Sequence, residues 1–220
     1  MEKYIRVTGK GQIAVKPDLI RLILTLEGTR EKYEDTLEES AKQVELLKEC
    51  FEKLGFAGKD LKTQHFNIDT VYEGYQDENR VWKNRFMGYK FIHNMKIEFE
   101  ADNTRLGQVL YGLAQAPVSP EFHINYTIKD TEAVKNKLLG KAVEDSKAKA
   151  AVLAEAAGVA LGELVSVDYS WGEKSFVSEP MNRSMPLMKD CRLTSGGYNM
   201  SIEPDDINVS DTVTVVWEIG

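Results

Sequence analysis

Apolar and polar residues along this chain repeat with a period that switches between two and about 3.6, and each switch marks a change of element. Tyr4–Thr8 reads as a short strand. In Gln12–Lys16, Ile13 and Val15 alternate with Gln12, Ala14 and Lys16, a second strand, and Gly9 and Gly11 between them predict a tight turn or bulge. Leu19–Glu27 continues as strand, with Ile20, Leu22, Leu24 and Leu26 on one face, and Gly28 is expected to end it. From Glu31 to Leu54 the spacing becomes helical: Tyr33, Leu37, Ala41, Val44, Leu47, Phe51 and Leu54 recur every three or four residues, and Gly55 stands in the usual stop position.

Beyond Asp60 the pattern returns to strand. Phe66, Ile68 and Tyr72 share a face of one strand, and Phe91, His93, Met95, Ile97 and Phe99 share a face of a second, Phe86–Ala101. The intervening residues 74–85 carry Tyr75, Trp82 and the polar tip Gln76-Asp77-Glu78-Asn79, which predicts a long hairpin protruding from the main body. Asp102 or Asn103 caps a second helix bearing Leu106, Val109, Leu110 and Leu113. Pro117 and Pro120 then interrupt the chain before a strand at Phe122–Lys129. A third helix runs from a cap at Asp130 to about Ala157. Its expected buried stripe is Leu139, Ala142, Val143, Ser146, Ala150, Leu153 and Ala157, whose small residues suit a close neighbour. A strand at Leu164–Ser170, an irregular stretch at 172–200 and a strand at Thr212–Ile219 complete the chain. This order gives an α+β fold in which antiparallel-rich sheets pack on long helices, as one domain over residues 4–219.

Charge and composition narrow the function classes. The net charge is −7, and Lys and Arg are interleaved with Asp and Glu, so phosphate neutralisation offers little affinity for nucleic acid. No window approaches the roughly 18 uninterrupted apolar residues of a membrane helix; the run Leu19–Leu26 is broken by Arg21 and Thr25. Glu2, Lys3 and Arg6 precede no apolar segment of the kind that marks a signal peptide, so a cytoplasmic location is expected, or a periplasmic one if a signal peptide has been removed. Cys50 and Cys191 are too few for a disulfide framework. Cys50 is expected to be a reduced, buried thiol that does not pair with Cys191.

The candidate chemistry is thin. Gly9-Lys10-Gly11-Gln12-Ile13-Ala14 fits a loose dinucleotide fingerprint, but that motif must open a helix whose N-terminus faces the pyrophosphate. Here the residues run into an alternating strand that ends at Pro17, so no nucleotide is expected. His93 lies on an apolar face as a hydrogen-bonded core histidine, while His65 and His123 fall on the polar sides of their strands. No His/Cys spacing suits zinc, and no G-x-S-x-G elbow supports a nucleophilic serine. Asp145 and Lys149, at i and i+4, read as an anion site or, more simply, as a surface pair. Met181, Met185 and Met188 read as thioether ligands or as adaptable contact surface, the latter preferred. Tyr72, Tyr75, Trp82, Phe86 and Tyr89 form the aromatic group of the hairpin. Aromatics stack on bases, but in an acidic protein subunit contact is the better use.

Five stretches together resemble one family: VTGKGQIAVKPDLIRLILTLEG, DLKTQHFNIDTVYE, GYKFIHNMKIEF, AVEDSKAKAAVLAEAAGVALGELVSV and INVSDTVTVVWEIG. The chain resembles the SIMPL-domain proteins, which include bacterial periplasmic immunogenic and oxidative-stress-defence proteins. The resemblance spans residues 4 to 219 and implies an α+β fold and ring-like homo-oligomerisation. It brings no catalytic residue, cofactor or metal to this chain. The matching positions Gly9, Gly11, Pro17, Asp18, Gly88, Tyr89, Asp145, Lys149, Ala150, Gly158, Leu161 and Gly162 have mostly structural explanations. The chain departs from many of these relatives in showing no export signal, and 172–200 matches no segment of them. The expectation is a non-enzymatic, self-associating protein connected with stress by resemblance alone, with no cofactor and itself as partner. An enzyme or small-ligand binder with a pocket built from scattered residues, and a protein-interaction adaptor, are the alternatives.

Overall fold

The computed structural model describes residues 3–170, 175–181 and 202–220, and the chain divides into two compact units. The larger comprises residues 19–126 and 179–203. Its elements are β2 (Leu19–Arg30), α1 (Tyr33–Lys53), β3 (Lys62–Gln76), β4 (Trp82–Glu100), α2 (Asn103–Gln115) and β5 (Glu121–Thr127). With β7 (Val177–Met181) these strands form a five-stranded sheet in the order β3-β4-β2-β5-β7. The β7 strand lies inside the stretch expected to be irregular. Gly28 does not end β2. The strand runs on to Arg30, paired with Tyr89, and the glycine serves packing instead: a Cβ at position 28 would come within 2.6 Å of the Phe91 ring.

The core of this unit is the alternating row predicted from sequence: Ile20, Leu22, Leu24 and Leu26 of β2 with Phe91, Met95, Ile97 and Phe99 of β4, all buried. Leu47 and Phe51 of α1 and Leu106, Val109, Leu110 and Leu113 of α2 cover it. The first half of α1 departs from the expected stripe. Tyr33 and Leu37 are exposed, and the buried positions are Thr36 and Ser40, one turn apart and one residue earlier than Leu37 and Ala41. These hydroxyls need little room and are satisfied in place. The Thr36 hydroxyl donates to the Lys32 carbonyl at 2.8 Å, and Ser40 Oγ lies 3.4 Å from His93 Nδ1. The helix ends in a Schellman arrangement, with Phe56 N–H on the Phe51 carbonyl, Gly55 N–H on the Glu52 carbonyl and Gly55 at φ 83°. The Phe51 and Phe56 rings meet edge to face at 5.6 Å across it. Asp102 caps α2 by accepting from Thr104 N–H.

The smaller unit comprises residues 1–18, 127–178 and 204–220. Its sheet has the order β1-β8-β6, built from β1 (Lys3–Val15), β8 (Ile207–Ile219) and β6 (Leu161–Asp168), with α3 (Thr131–Ala156) against it. The predicted glycine turn is absent. β1 is one continuous strand that pairs antiparallel with β8 from Lys3↔Ile219 to Val15↔Ile207. Gly9 and Gly11 serve a different purpose: α3 lies directly on them. A Cβ at Gly9 would sit 1.9 Å from the Ala142 carbonyl oxygen, and one at Gly11 2.1 Å from that of Leu138. The helix stripe facing them is Leu138, Ala142, Ser146, Ala150 and Ala154; Ala142, Ser146 and Ala150 are as expected, while at the ends Leu138 and Ala154 take the buried places and Leu153 is exposed. A strict four-residue spacing of small side chains lets the helix backbone approach the strand. Asp130 caps α3, and Gly158 ends it in a second Schellman arrangement at φ 68°.

Candidate functional site

The β3–β4 hairpin is where the expected interface residues lie. The pairing of β2 with β4 ends at Arg30↔Tyr89, whereas β3 accompanies β4 on to Gln76↔Trp82. Beyond Tyr89, therefore, β4 has β3 as its ladder partner and the pair forms a two-stranded arm. Asp77 builds its tip: the carboxylate accepts the N–H groups of Asn79 and Val81 and pairs with Lys83 at 2.8 Å, while Arg80 takes φ 58°. Lys83 and those N–H groups hold the Asp77 carboxyl below the usual carboxylate range.

Cross-strand partners share a face of a sheet, so the register sorts the aromatics. Tyr72↔Phe86, Gly74↔Asn84, Gln76↔Trp82 and Thr70↔Tyr89 occupy one face; Tyr75↔Lys83 and Glu73↔Arg85 occupy the other. Four of the five expected residues thus stand together, and Tyr75 stands apart beside the 2.6 Å Glu73–Arg85 ion pair. Tyr72 meets Phe86 at 5.6 Å, Phe86 meets Tyr89 at 5.3 Å, and Tyr89 meets Tyr33 at 5.5 Å, all edge to face. Trp82 continues the row at 71% exposure, with Tyr72 at 58% and Phe86 at 45%. Tyr89 is half-buried. Alternation carries the same face inward to Phe91, Met95 and Ile97, which are buried. The row is therefore the core face of the sheet, continued past the start of α1, whose Tyr33 meets its inner end at Tyr89 while Tyr72, Phe86 and Trp82 stay exposed. Tyr33, on the apolar spacing of α1, is the link between helix and arm, a contact that depends on the β2–β4 register bringing Tyr89 beside it.

The other candidates take structural roles. His93 is half-buried, with Nε2 2.8 Å from Thr63 Oγ1 and Nδ1 facing Ser40, and its ring meets Phe66 at 5.0 Å. Burial lowers its pKa from the ordinary histidine value. Cys50 is a free thiol, half-buried instead of fully enclosed, and its Sγ donates to the Gly112 carbonyl at 3.4 Å. Burial raises its pKa, and Lys53 partly offsets the rise. Cys191, Met185 and Met188, and the side chain of Met181, fall outside the described residues. Among the described residues no three of His, Cys, Asp and Glu gather as metal ligands, and no helix is long and apolar enough to cross a membrane.

The Asp145–Lys149 pair, 2.7 Å apart, does more than decorate a surface. Asp145 also accepts the backbone N–H of Lys10 at 2.7 Å, and the ammonium of Lys149 reaches the Thr8 carbonyl at 3.4 Å. One turn earlier, Lys141 reaches the Gln12 carbonyl at 3.4 Å. Positions i, i+4 and i+8 of α3 thus bond successive polar groups along the outer edge of β1.

A family model for SIMPL, proteins of unknown function, matches residues 5–217. The chain is also 24% identical over 215 residues to the 26 kDa periplasmic immunogenic protein of Brucella melitensis, covering 98% of this chain and 84% of that one. The same identity and coverage hold for the 26 kDa periplasmic immunogenic protein of Brucella abortus. These five ordered stretches, the α+β architecture and a match over nearly the whole length agree: the chain belongs to the SIMPL family.

Proposed function

We propose that this protein is a non-enzymatic, self-associating component of the periplasm, built to assemble through the β3–β4 arm. The observation that carries this reading is the row Trp82, Phe86, Tyr72 and Tyr89, a continuation of the core face left uncovered. A two-stranded arm is marginal in water by itself, and contiguous exposed aromatics mark interaction sites. Closed symmetric homo-oligomers are the commonest way for one chain to cover such a patch. Three of the titratable groups with shifted pKa support a non-catalytic reading through evident structural uses: His93 lies against Thr63, Asp77 builds the turn and Asp145 bonds β1. A periplasmic location follows the names of the relatives in place of the cytoplasmic one expected from the N-terminus. A connection with stress tolerance rests on the family alone.

Replacing Tyr75 and Trp82 together with Ser tests the reading. Light scattering should show a lower native mass while circular dichroism shows the fold retained, because neither ring belongs to the buried core. The single Trp82→Ser change should carry most of the effect, since Tyr75 faces the charged side of the arm. A monomeric wild type, or an assembly untouched by the double change, removes the arm from the mechanism of association.

A further inference from the structure

The free edges of the two sheets are unequal. β1 has three of its outer polar groups, the Thr8 and Gln12 carbonyls and the Lys10 N–H, bonded by Lys149, Lys141 and Asp145. β6 is broken by two register shifts against β8, and β7 is short. β3 is different: it is the long edge strand of the five-stranded sheet, and apart from the half-buried Ile68 and Val71 every residue in it is exposed. Its irregularities also spare the outer side. At the shift between Val71 and Tyr72 the extra residue, Met87, is on β4; at the shift near its start the extra residue, Gln64, leaves His65–Gln76 uninterrupted. An unprotected edge of this kind is a template for another strand.

We propose that two copies of this chain pair antiparallel along β3, with Thr70 on the two-fold axis, joining their five-stranded sheets into one. The proposal rests on the self-association argued above and names its surface. The sequence of β3 selects both partner and register. A two-fold axis perpendicular to the sheet keeps like faces together, so the pairing must centre on a residue. Three centres use most of the regular stretch. Centring on Asp69 sets that carboxylate against itself. Centring on Val71 sets Asp69 against Glu73 at two places. Like charges directly opposite are destabilising. Centring on Thr70 opposes no two acids: Asp69 faces Val71, Asn67 faces Glu73, and Ile68 faces Tyr72 of the partner subunit. On the aromatic face Phe66 meets Gly74 of the partner subunit, where the Trp82 ring lies 3.8 Å from the place a Cβ would take, so the two rings come together. The two exposed rows then become one surface across the axis.

Cysteine cross-linking reads this register directly. In a Cys50→Ser, Cys191→Ser background of the full chain, Thr70→Cys should form a disulfide-linked dimer under oxidised glutathione. Its rate should be about tenfold or more above that of Glu155→Cys on α3, because pairing raises the local thiol concentration. Mixing Asp69→Cys with Val71→Cys should give more linked heterodimer than either variant gives alone. If light scattering finds an assembly but Thr70→Cys links no faster than Glu155→Cys, the β3 pairing is wrong while self-association stands. Linkage at Thr70 without the mixed Asp69/Val71 product overturns the register. A monomeric wild type, as expected if the edge receives a strand from another protein, overturns the pairing and self-association together.

Discussion

At Gly9 two backbones approach so closely that no room is left for a Cβ. With the Ala142 oxygen 1.9 Å from where a Cβ would stand, Gly9→Ala must push α3 off the sheet. Overpacking against backbone, which cannot rotate away, should destabilise by about 3 kcal/mol. Urea unfolding measures it, and a loss under about 0.5 kcal/mol, the scale of ordinary surface changes, would mean that the contact is soft. His93 gives the residue-scale pH response. Burial lowers its folded pKa, so the unfolded chain binds more protons once pH falls below the unfolded value of about 6.5. Stability is present above that pH and is lost as pH falls through the folded value. Urea titrations at pH 7.5 and 5.5 should show a larger acid loss for the wild type than for His93→Gln, which keeps hydrogen-bonding capacity for Thr63 without a titrating ring. Equal losses would assign the acid response to other groups.

Among elements, α3 shows how a helix can finish a sheet. Its flank carries Lys141, Asp145 and Lys149 along β1, supplying to the edge what a further strand would have supplied. Lys149, and then the Lys10 N–H, hold the Asp145 carboxyl below its usual range, so the clamp survives until mildly acidic conditions are well passed. Asp145→Ala should speed amide exchange at Lys10 selectively, with the rest of β1 retaining its protection; a uniform rise along the strand would indicate general loosening instead. The elements themselves were largely legible in sequence. Alternation located β2, β4 and much of β8, and caps at Asp102 and Asp130 and the stop at Gly55 located the helices. What sequence hid was tertiary in origin. Gly9 and Gly11 read as a turn because a glycine that admits a neighbouring backbone is indistinguishable, in one dimension, from a glycine that bends its own. The stripe of α1 slipped by a residue in its first half, where the small side chains Thr36 and Ser40 took the buried line and left Leu37 in solvent. The stripe of α3, as expected at Ala142, Ser146 and Ala150, departed at its end, where Ala154 is buried and Leu153 exposed. The aromatic residues of the arm were legible as a group, but their division between faces depended on the β3–β4 register.

For the molecule as a whole, the pairing of β1 with β8 has a consequence for how the protein is made. The opening strand finds its ladder partner only in the closing one, from Lys3 with Ile219 to Val15 with Ile207. Residues 19–126, by contrast, contain the β2, β3 and β4 ladders, both of their helices and most of their own core. A chain emerging from the ribosome can therefore begin to condense over residues 19–126 while β1 waits, unpaired, for β8 to be made. Pairings so distant in sequence form slowly, because loop closure must precede any gain from contact. Until β8 is made the seam stays unzipped, and β1 is an unpaired strand attached to a centre that has already begun to fold.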